Sequence, residues 1–327
     1  MKACVLHAIK NLEYKEVADP IVKQGEVLVQ VKACGICSSD LDRVFRTGAY
    51  HFPIVLGHEI AGQVAAVAPD VDNSLVGKRV VVYPLLPCFE CEACKKGFYT
   101  QCKGYNYFGS RCDGGYAQYL SVPVWNVKTF SDAVPFTHAA LCEPAAVAWN
   151  AATKADIKRG VKLLIVGTGL IGIVAGLWAK KKGADVSFKV RNSQKAEFIK
   201  SLGFEQAQND FDEASFDICM ECVGTNDSIA DSLRYVKARG TVVFVGNPQS
   251  DVVIDKKIYW KILRQELVIK GVWNSSYPAD WEAVLENINS LPCDKLITHR
   301  FALADGMDAF NTLNDARFKI KGMYVID

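Results

Sequence analysis

The distribution of apolar positions changes character about halfway along the chain. Up to about residue 140 the apolar positions come in short segments: EVLVQVKACGI alternates apolar and polar residues, and KRVVVYP is a compact apolar run that ends at a proline. Period-two alternation and short apolar runs between turn residues predict β-strands. The first half is therefore expected to be largely β.

From about residue 160, apolar runs alternate with segments of helical period. The candidate buried strands are KLLIVG, DVSFKV, FDICMECVG and GTVVFVG, and the candidate helices are LIGIVAGLWAKKKG, SQKAEFIKSLG and DSIADSLRYVKARG. This alternation predicts an α/β domain with a parallel sheet covered on both faces. GTVVFVG fits either the interior of that sheet or an edge that pairs across a symmetry axis. After about residue 272 the pattern loosens.

The length and net charge of the chain limit the kinds of protein that it can be. With 327 residues the chain is longer than one hydrophobic core usually grows, which predicts two domains. The net charge is +2 and the basic runs are short, so partners such as nucleic acid or an anionic membrane are not expected. MKACVLHAIKNLEYKEV lacks the apolar core of a signal peptide, and LLIVGTGLIGIVAGLW is short for a membrane span and contains glycines. A cytoplasmic protein is expected.

Four cysteines lie within LLPCFECEACKKGFYTQC, at the spacing CxxCxxCx7C. In a reducing cytosol, cysteines are more often thiols or metal ligands than disulfides. Four thiolates complete a tetrahedral zinc and leave no open position, so the set predicts a structural site. An iron–sulfur cluster is the main competitor, although the bacterial cluster pattern has a closer fourth cysteine followed by proline. Free buried cysteines are the remaining alternative. The four residues are Cys88, Cys91, Cys94 and Cys102.

A second, dispersed set of possible ligands lies outside that loop. CGICSSDLD and VLGHEIAG contribute Cys37, His58 and Glu59, and LCEPAAVAWN contributes Glu143. A thiolate, an imidazole and one or two carboxylates suit a zinc that keeps room for water or substrate. Each residue alone would more often be structural or a surface charge. Together they predict a catalytic metal.

The stretch GTGLIG has the form GxGxxG, follows an apolar strand and opens a predicted helix. In this context the glycines allow a tight turn and the close approach of a pyrophosphate to the helix N-terminus. The turn therefore predicts dinucleotide binding, with a glycine-containing packing turn as the alternative. Its residues are Gly167, Thr168, Gly169, Leu170, Ile171 and Gly172.

The second strand of such a domain usually ends in an acid that binds the adenosine ribose. Here Val190 is followed by Arg191 and Asn192. Without the carboxylate a 2′-phosphate is no longer repelled, and a guanidinium can pair with it. The sequence therefore favours NADP over NAD, the alternative being that Arg191 is a solvated residue before a helix.

Taken in order, CGICSSD, GHEIAG, the four-cysteine segment, DGGYAQY, EPAAVAW and GTGLIG resemble the zinc-dependent medium-chain dehydrogenase/reductase superfamily along the whole chain. Among its branches the sequence is most similar to polyol and polyol-phosphate dehydrogenases of the galactitol-1-phosphate dehydrogenase type. The resemblance implies a Rossmann doubly wound parallel sheet together with a β-rich GroES-like catalytic domain. It also implies an active site between the two domains, and a homodimer or homotetramer.

On this resemblance the expected domains are a catalytic domain over 1–145 with a structural zinc lobe at 85–105, a nucleotide-binding domain over 146–272, and a return to the catalytic domain over 273–327. Cys37, His58 and Glu143 would hold the catalytic zinc, so that each chain carries two zinc ions. Glu59 would be an exchangeable or adjacent carboxylate, and Asp40 would orient His58. Ser39 would bind the substrate oxygen and begin the proton relay, the alternative being a turn-forming serine.

Further contacts follow from the same resemblance. Val223 and Gly246 would contact the dinucleotide. If the substrate is a polyol phosphate, cations near the zinc must bind it, and Arg43, Arg46 and Arg111 are the candidates, with ordinary surface or ion-pair roles as the alternative. Tyr50 and His51 would line the pocket or pack beside it. The family's near-terminal Gly-Lys is inverted here as Lys321 and Gly322, so Lys321 is given no cofactor role.

Two other functions stay open at this point. The first is a nucleic-acid-binding zinc ribbon, since the cysteine lobe contains lysines and aromatic residues, although glutamates dilute its charge. The second is a dehydrogenase-like binding protein without catalysis. The complete set of candidate catalytic ligands favours an enzyme: an NAD(P)-dependent zinc dehydrogenase acting on a small polyol or polyol phosphate.

Overall fold

The computed structural model describes residues 1–327, which divide into two compact units. Unit 1 comprises Met1–Glu143 and Ser276–Asp327, and unit 2 comprises Pro144–Ser275. The strands are β1 Lys2–Ala8, β2 Asn11–Glu16, β3 Glu26–Ile36, β4 Ile54–Val55, β5 Glu59–Val67, β6 Arg79–Val82, β7 Leu85–Leu86, β8 Asn106–Tyr107, β9 Tyr119–Pro123, β10 Val127–Thr129, β11 Lys162–Val166, β12 Asp185–Lys189, β13 Ala207–Gln208, β14 Phe216–Glu221, β15 Val236–Phe244, β16 Val268–Gly271, β17 Ile297–Ala302 and β18 Lys321–Val325.

The helices are α1 Ser38–Asp42, α2 Glu92–Lys95, α3 Phe136–Ala139, α4 Cys142–Lys154, α5 Leu170–Lys181, α6 Ser193–Ser201, α7 Asn226–Tyr235, α8 Lys256–Arg264, α9 Ala279–Asn287, α10 Cys293–Leu296 and α11 Gly306–Asp315. None of them combines the length and apolarity needed to cross a membrane.

Unit 1 is built on a seven-stranded sheet in which β3 is central. The order is β10-β6-β5-β3-β18-β17, and β9 also pairs with β3. The alternation of EVLVQVKACGI appears directly in β3, where every second residue from Val27 to Ala33 is fully buried and the last four residues are all buried. The C-terminal strand β18 lies beside β3, so that the end of the chain completes the domain begun by its first half.

Unit 2 has the doubly wound architecture that the sequence predicts. Its six parallel strands follow the order β13-β12-β11-β14-β15-β16. Strand β11 comes first in the chain and lies inside the sheet, with later strands added on both sides. The order of the strands therefore reverses between β11 and β14, and in open α/β sheets ligands bind outside the carboxyl ends of the strands at such a point. The predicted fold class is confirmed.

In unit 2 the structure corrects the predicted end of one helix and decides between the two predicted positions of GTVVFVG in the sheet. The predicted helix DSIADSLRYVKARG is wrong at its end, because α7 ends at Tyr235 and VKARG belongs to β15. Val236 is fully buried and pairs with Phe216, so a β-branched residue gains more from the sheet than from another helical turn. GTVVF of this segment lies in β15, between β14 and β16, and the edges of the sheet are β13 and β16.

Candidate metal centres and nucleotide turn

The four predicted thiolates of the lobe converge on one point. The Sγ atoms of Cys88, Cys91, Cys94 and Cys102 all lie within 4.8 Å of one another, with 3.4 Å between Cys88 and Cys102 and 4.0 Å between Cys88 and Cys94. A tetrahedral zinc with Zn–S bonds of about 2.3 Å needs sulfur–sulfur separations of about 3.8 Å. The arrangement therefore fits a closed zinc site.

The backbone of the lobe is arranged to stabilise thiolates. The N–H of Cys91 donates to Cys88 Sγ at 3.4 Å, and the N–H of Cys88 donates to Cys102 Sγ at 3.4 Å. The backbone donors, that of Cys91 first, lower the pKa of Cys88 to about 6. A thiol that ionises near neutral pH is ready to bind metal.

An aromatic cluster joins the lobe to the rest of unit 1. The ring of Trp125 contacts Phe89 at 4.9 Å and Tyr99 at 5.0 Å between centroids, and both of these residues lie within the lobe. On its other side Trp125 contacts Tyr277 at 4.8 Å, and Tyr277 stacks on Tyr83 at 4.4 Å. The shape of the lobe is therefore coupled to the packing of unit 1.

The second centre lies where β3 ends and β5 begins. Cys37 follows β3 directly and is the N-cap of α1, while His58 and Glu59 lie at the start of β5, the neighbour of β3. One donor atom from each of Cys37, His58 and Glu59 falls within 4.8 Å of the other two. Oε2 of Glu59 is buried without a hydrogen-bond partner. A buried carboxylate oxygen left without a partner in such a cluster is what a metal ion would satisfy.

Glu143 is held next to this cluster by a residue that the sequence reasoning missed. It lies in the first turn of α4, and its Oε1 accepts a hydrogen bond from the Tyr107 hydroxyl at 3.2 Å. The ring of Tyr107 also contacts His58 edge-on, at 5.8 Å between centroids. Burial, aided by the nearby Glu59, raises the pKa of Glu143 to about 7.

The electrostatic field of the second centre favours a cation. Burial opposes the charged form of His58, but the Asp40 carboxylate and the Cys37 thiol outweigh it and raise the pKa of His58 to about 10. Asp40 does lie beside His58, as predicted, but its Oδ1 is 3.6 Å from Nδ1, which is longer than a hydrogen bond. It is instead engaged by the Tyr116 hydroxyl at 2.7 Å and by Arg43 at 3.1 Å.

Like Tyr107, Lys321 belongs to this site although the sequence predicted no role for it. It is buried in β18, and its Nζ donates to Glu59 Oε1 at 2.5 Å and to the carbonyl of Ile36 at 3.3 Å. Burial opposes its charge, but Glu59 and Cys37 overcome this and raise the pKa of Lys321 above its usual value. A lysine within the apolar strand KGMYV was the only signal in the sequence, and nothing there named its partner.

The three predicted arginines of unit 1 differ in whether they form an ion pair with a carboxylate. Arg43 Nη1 donates to Ser39 Oγ at 2.9 Å and to Asp40, and the exposed Arg46 pairs with Asp42 at 2.5 Å. Arg111 has no carboxylate partner. Its guanidinium lies near two aromatic rings, 4.7 Å from the centroid of Tyr50 and 4.4 Å from that of Tyr105, and its Nη1 donates to the Tyr105 carbonyl at 3.3 Å.

His51 completes this arrangement, since its Nε2 lies 3.2 Å from the carbonyl oxygen of Arg111. Tyr50 and His51 are both exposed. The structure thus brings together Tyr50, His51 and Arg111 of the predicted substrate residues, and places Arg43 in the hydrogen-bond network of Ser39.

In unit 2 the glycine turn joins β11 to α5. Gly167 has φ = +120°, and a side chain there would meet Val223 at 2.7 Å, so only glycine fits. Gly169 caps the N-terminus of α5, and a Cβ on Gly172 would lie 2.3 Å from the Gly167 carbonyl oxygen. The turn is therefore tight and close to the helix, as a phosphate site requires.

The residues predicted to select the cofactor follow β12. Arg191 and Asn192 are exposed, and Asn192 Oδ1 accepts the N–H of Lys195 at 3.0 Å as the N-cap of α6. Asn192 thus has a structural role that the sequence did not assign. Arg191 forms no ion pair, so its guanidinium is available to an anion.

Two family models match the chain: an alcohol dehydrogenase GroES-like domain over residues 23–132 and a zinc-binding dehydrogenase over residues 171–290. Galactitol 1-phosphate 5-dehydrogenase of Escherichia coli K12 is 34% identical over 305 residues, which are 88% of this chain and 88% of that protein. The chain belongs to the zinc-binding alcohol dehydrogenase family. The predicted family is confirmed.

Two further similarities agree with this assignment. Sorbitol dehydrogenase of Bacillus subtilis is 30% identical over 330 residues, covering 94% of this chain and 92% of that protein. The crystal structure of galactitol-1-phosphate dehydrogenase from Escherichia coli superposes with a TM-score of 0.93 at 31% identity, covering 99% of this chain and 100% of that chain. The chain is therefore an oxidoreductase of this family, and the reading as a nucleic-acid-binding zinc ribbon is not supported.

Proposed function

We propose that this protein transfers hydride between a nicotinamide dinucleotide and a secondary alcohol of a polyol or polyol phosphate, with zinc at the second centre. The observation that carries the proposal is the convergence of Cys37 with the buried His58 and Glu59 within 4.8 Å, with Glu143 held beside them. The similarity to galactitol 1-phosphate 5-dehydrogenase and sorbitol dehydrogenase supports polyols as the substrate class.

Cys37, His58, Glu59 and Glu143 would hold the catalytic zinc, and the donor set of thiolate, imidazole and carboxylate fits that metal. Bound there, zinc lowers the pKa of an alcohol and polarises a carbonyl, which makes hydride transfer possible near neutral pH in either direction. Lys321 holds Glu59 through one oxygen, and Tyr107 holds Glu143 through one oxygen. Each carboxylate would thus have its other oxygen left to hold the metal.

Ser39 would hydrogen-bond the substrate hydroxyl and begin the proton relay: as it takes the substrate proton, its own hydroxyl proton would pass on to water, so that the serine stays neutral. Its Oγ accepts a hydrogen bond from Arg43 Nη1, so the direction of its lone pairs is set by a side chain that Asp40 also fixes. A hydroxyl held in this way is oriented before the substrate binds, which is the requirement for efficient proton transfer. Arg43 is therefore assigned to orient Ser39 and not to bind a phosphate.

The glycine turn of unit 2 would bind the dinucleotide pyrophosphate at the N-terminus of α5. Arg191 would pair with a 2′-phosphate, which favours NADP over NAD. Replacing Arg191 with alanine should raise KM for NADP about tenfold and leave KM for NAD unchanged, because one charge-assisted contact is lost. An equal loss for both dinucleotides would contradict this assignment.

If the substrate is phosphorylated, Arg111 is the cation best placed to bind it, because it lies near the rings of Tyr50 and Tyr105 and has no carboxylate partner. Arg111→Ala should raise KM for a polyol phosphate about tenfold and leave KM for the unphosphorylated polyol unchanged. Arg46→Ala is the matched comparison, since Arg46 already pairs with Asp42. The assignment fails if the two variants behave alike.

We further propose that the protein forms a homodimer through β16. This strand is an edge of the sheet, and Val268 and Ile269 on it are exposed, as are Tyr259 and Leu263 of the adjacent α8. A free strand edge with apolar side chains suits pairing with a second copy across a two-fold axis. Ile269→Lys should convert a dimer to a monomer in light scattering, whereas Val76→Lys, on an equally exposed valine of unit 1, should not.

The proposal as a whole is tested by one panel. Purified protein with two zinc ions per chain is mixed with NAD or NADP and with sugar alcohols, with and without a phosphate, and the absorbance of the reduced nicotinamide is followed. Turnover of at least one polyol with at least one dinucleotide is expected. Folded, zinc-loaded protein that turns over none of them would refute the enzymatic function.

A further inference from the structure

Glu221 is a completely buried carboxylate at the carboxyl end of β14. No lysine, arginine or histidine forms an ion pair with it, and its Oε2 has no hydrogen-bond partner. A buried charge without a cation is costly unless backbone donors stabilise it. The groups that donate hydrogen bonds to Glu221 therefore indicate the role of this carboxylate.

The side chain and the backbone carbonyl of Glu221 each accept hydrogen bonds from a backbone turn. The Oε1 atom accepts the N–H groups of Val223 at 2.6 Å and Gly224 at 2.7 Å. Its backbone carbonyl accepts the N–H groups of Val245 at 2.9 Å and Gly246 at 3.1 Å. Glu221 thus connects the turn that follows β14 with the turn that follows β15.

The two turns are packed so closely that neither could accept a side chain at the contact. A Cβ on Gly246 would lie 2.2 Å from the Gly224 nitrogen and 2.6 Å from Glu221 Oε2. The first turn also touches the glycine turn after β11, because a Cβ on Gly167 would lie 2.7 Å from a methyl of Val223. Three turns at the carboxyl edge of the sheet therefore form one contiguous assembly around Glu221.

This assembly lies at the point where the strand order reverses between β11 and β14, the place where α/β sheets bind ligands. We propose that Glu221 is a positioning residue of the dinucleotide site: its carboxylate fixes the turn of Val223 and Gly224 against the glycine turn, and so preforms the surface on which the dinucleotide binds. This inference rests on the proposed function and deepens it. Glu221 does not itself touch the ligand, because its side chain is fully buried.

The inference predicts how substitutions should rank. Glu221→Ala leaves two buried N–H groups without an acceptor, so the turn loses its fixed position and the Kd for reduced dinucleotide should rise about tenfold. Glu221→Gln keeps a carbonyl oxygen at the same distance from the backbone, and its Kd should stay within about threefold of that of the unsubstituted protein. Glu221→Asp keeps the charge but is one methylene shorter, and should weaken binding about as much as alanine.

The measurement is a titration of each purified variant with NADH and NADPH, followed by nicotinamide fluorescence, together with its melting temperature. Ser232→Ala is the matched control: Ser232 is fully buried in the same unit, and its hydroxyl donates to the Ser228 carbonyl at 2.9 Å. It should lower the melting temperature and leave Kd unchanged.

Glu221→Asp keeps the proposal testable if Glu221→Ala does not fold. A folded Asp or Ala variant that binds dinucleotide as tightly as the unsubstituted protein would overturn the inference, and so would a loss of affinity equal to that of Ser232→Ala. Binding of neither dinucleotide by the unsubstituted protein would refute the proposed function itself, and with it this inference.

Discussion

The two candidate zinc centres of unit 1 differ in every property that determines what a metal can do. The lobe centre uses four thiolates from one continuous loop, and its partners are backbone N–H groups. The second centre uses a thiolate, an imidazole and carboxylates from separate elements, and its partners are the charged or hydroxyl side chains of Asp40, Lys321 and Tyr107. A full thiolate shell holds structure, while a mixed shell with adjustable carboxylates leaves room for a substrate.

The comparison also shows where a site's stability originates. The lobe is attached through aromatic packing on Trp125, so losing its metal should loosen packing within unit 1. The second centre lies between strands that other contacts already hold, since β3 and β5 pair along most of their length. Loss of a zinc ligand in the second centre should therefore abolish catalysis and leave the fold intact.

The largest expected effect is that of Cys37→Ala. Removing the thiolate should lower kcat/KM for the polyol by about 10⁴-fold, because the metal contributes several kcal/mol to the transition state. The melting temperature should change little, and zinc analysis should fall from two ions per chain to one. Turnover that survives without the second zinc would contradict the assignment of this centre.

Cys91→Ala is the matched substitution in the lobe. It should lower stability by about 3 kcal/mol, or roughly 10 °C in melting temperature, because the lobe loses its metal and its packing on Trp125. The folded protein should keep most of its turnover at low temperature. Unchanged stability together with one zinc ion fewer would show that the lobe is not structural.

Lys321→Met tests the charges around the second centre. It leaves the Glu59 carboxylate buried without a cation, which should destabilise the zinc-free protein by about 3–5 kcal/mol. The loss should be smaller in the zinc-loaded protein, because a metal cation would again face the carboxylate. Chemical denaturation with and without zinc measures both values. Equal losses in the two forms would show that Glu59 does not contact the metal.

Tyr107→Phe should have the smallest effect. It removes one hydrogen bond to the Glu143 carboxylate, worth about 1.5 kcal/mol, and should weaken zinc retention at the second centre about tenfold. Competition with a chromophoric chelator measures this, and zinc in the lobe serves as the internal reference. Weaker retention in the lobe alone would contradict the position of Tyr107 in the second centre.

The features that the sequence predicted well are those in which partners are close along the chain. The alternation of β3, the glycine turn after β11 and the cysteine lobe each depend on a single continuous segment. Helix α7 was predicted too long because the pairing of Val236 with Phe216 lies outside any local pattern. Helical period alone cannot show where a sheet will take over the chain.

The features that the sequence missed are pairings between distant residues. Lys321 and Glu59 are 262 positions apart, and Tyr107 and Glu143 are 36 apart. Glu221 is near its partners in sequence, but its burial at the centre of three turns follows from the order of the strands. Residue types and spacing supplied the candidate ligands, and resemblance to a family supplied their roles, whereas the contacts that orient them depend on the three-dimensional fold.

The most direct test of the central claim is the visible absorption of protein in which cobalt(II) replaces zinc, recorded while a polyol is titrated in the presence of dinucleotide. The account predicts that the d–d bands of the second centre shift with saturable dependence on polyol, that the thiolate-to-cobalt bands of the lobe do not change, and that Cys37→Ala abolishes the shift. A shift that persists in Cys37→Ala, or bands that respond to no polyol with either dinucleotide, would contradict it.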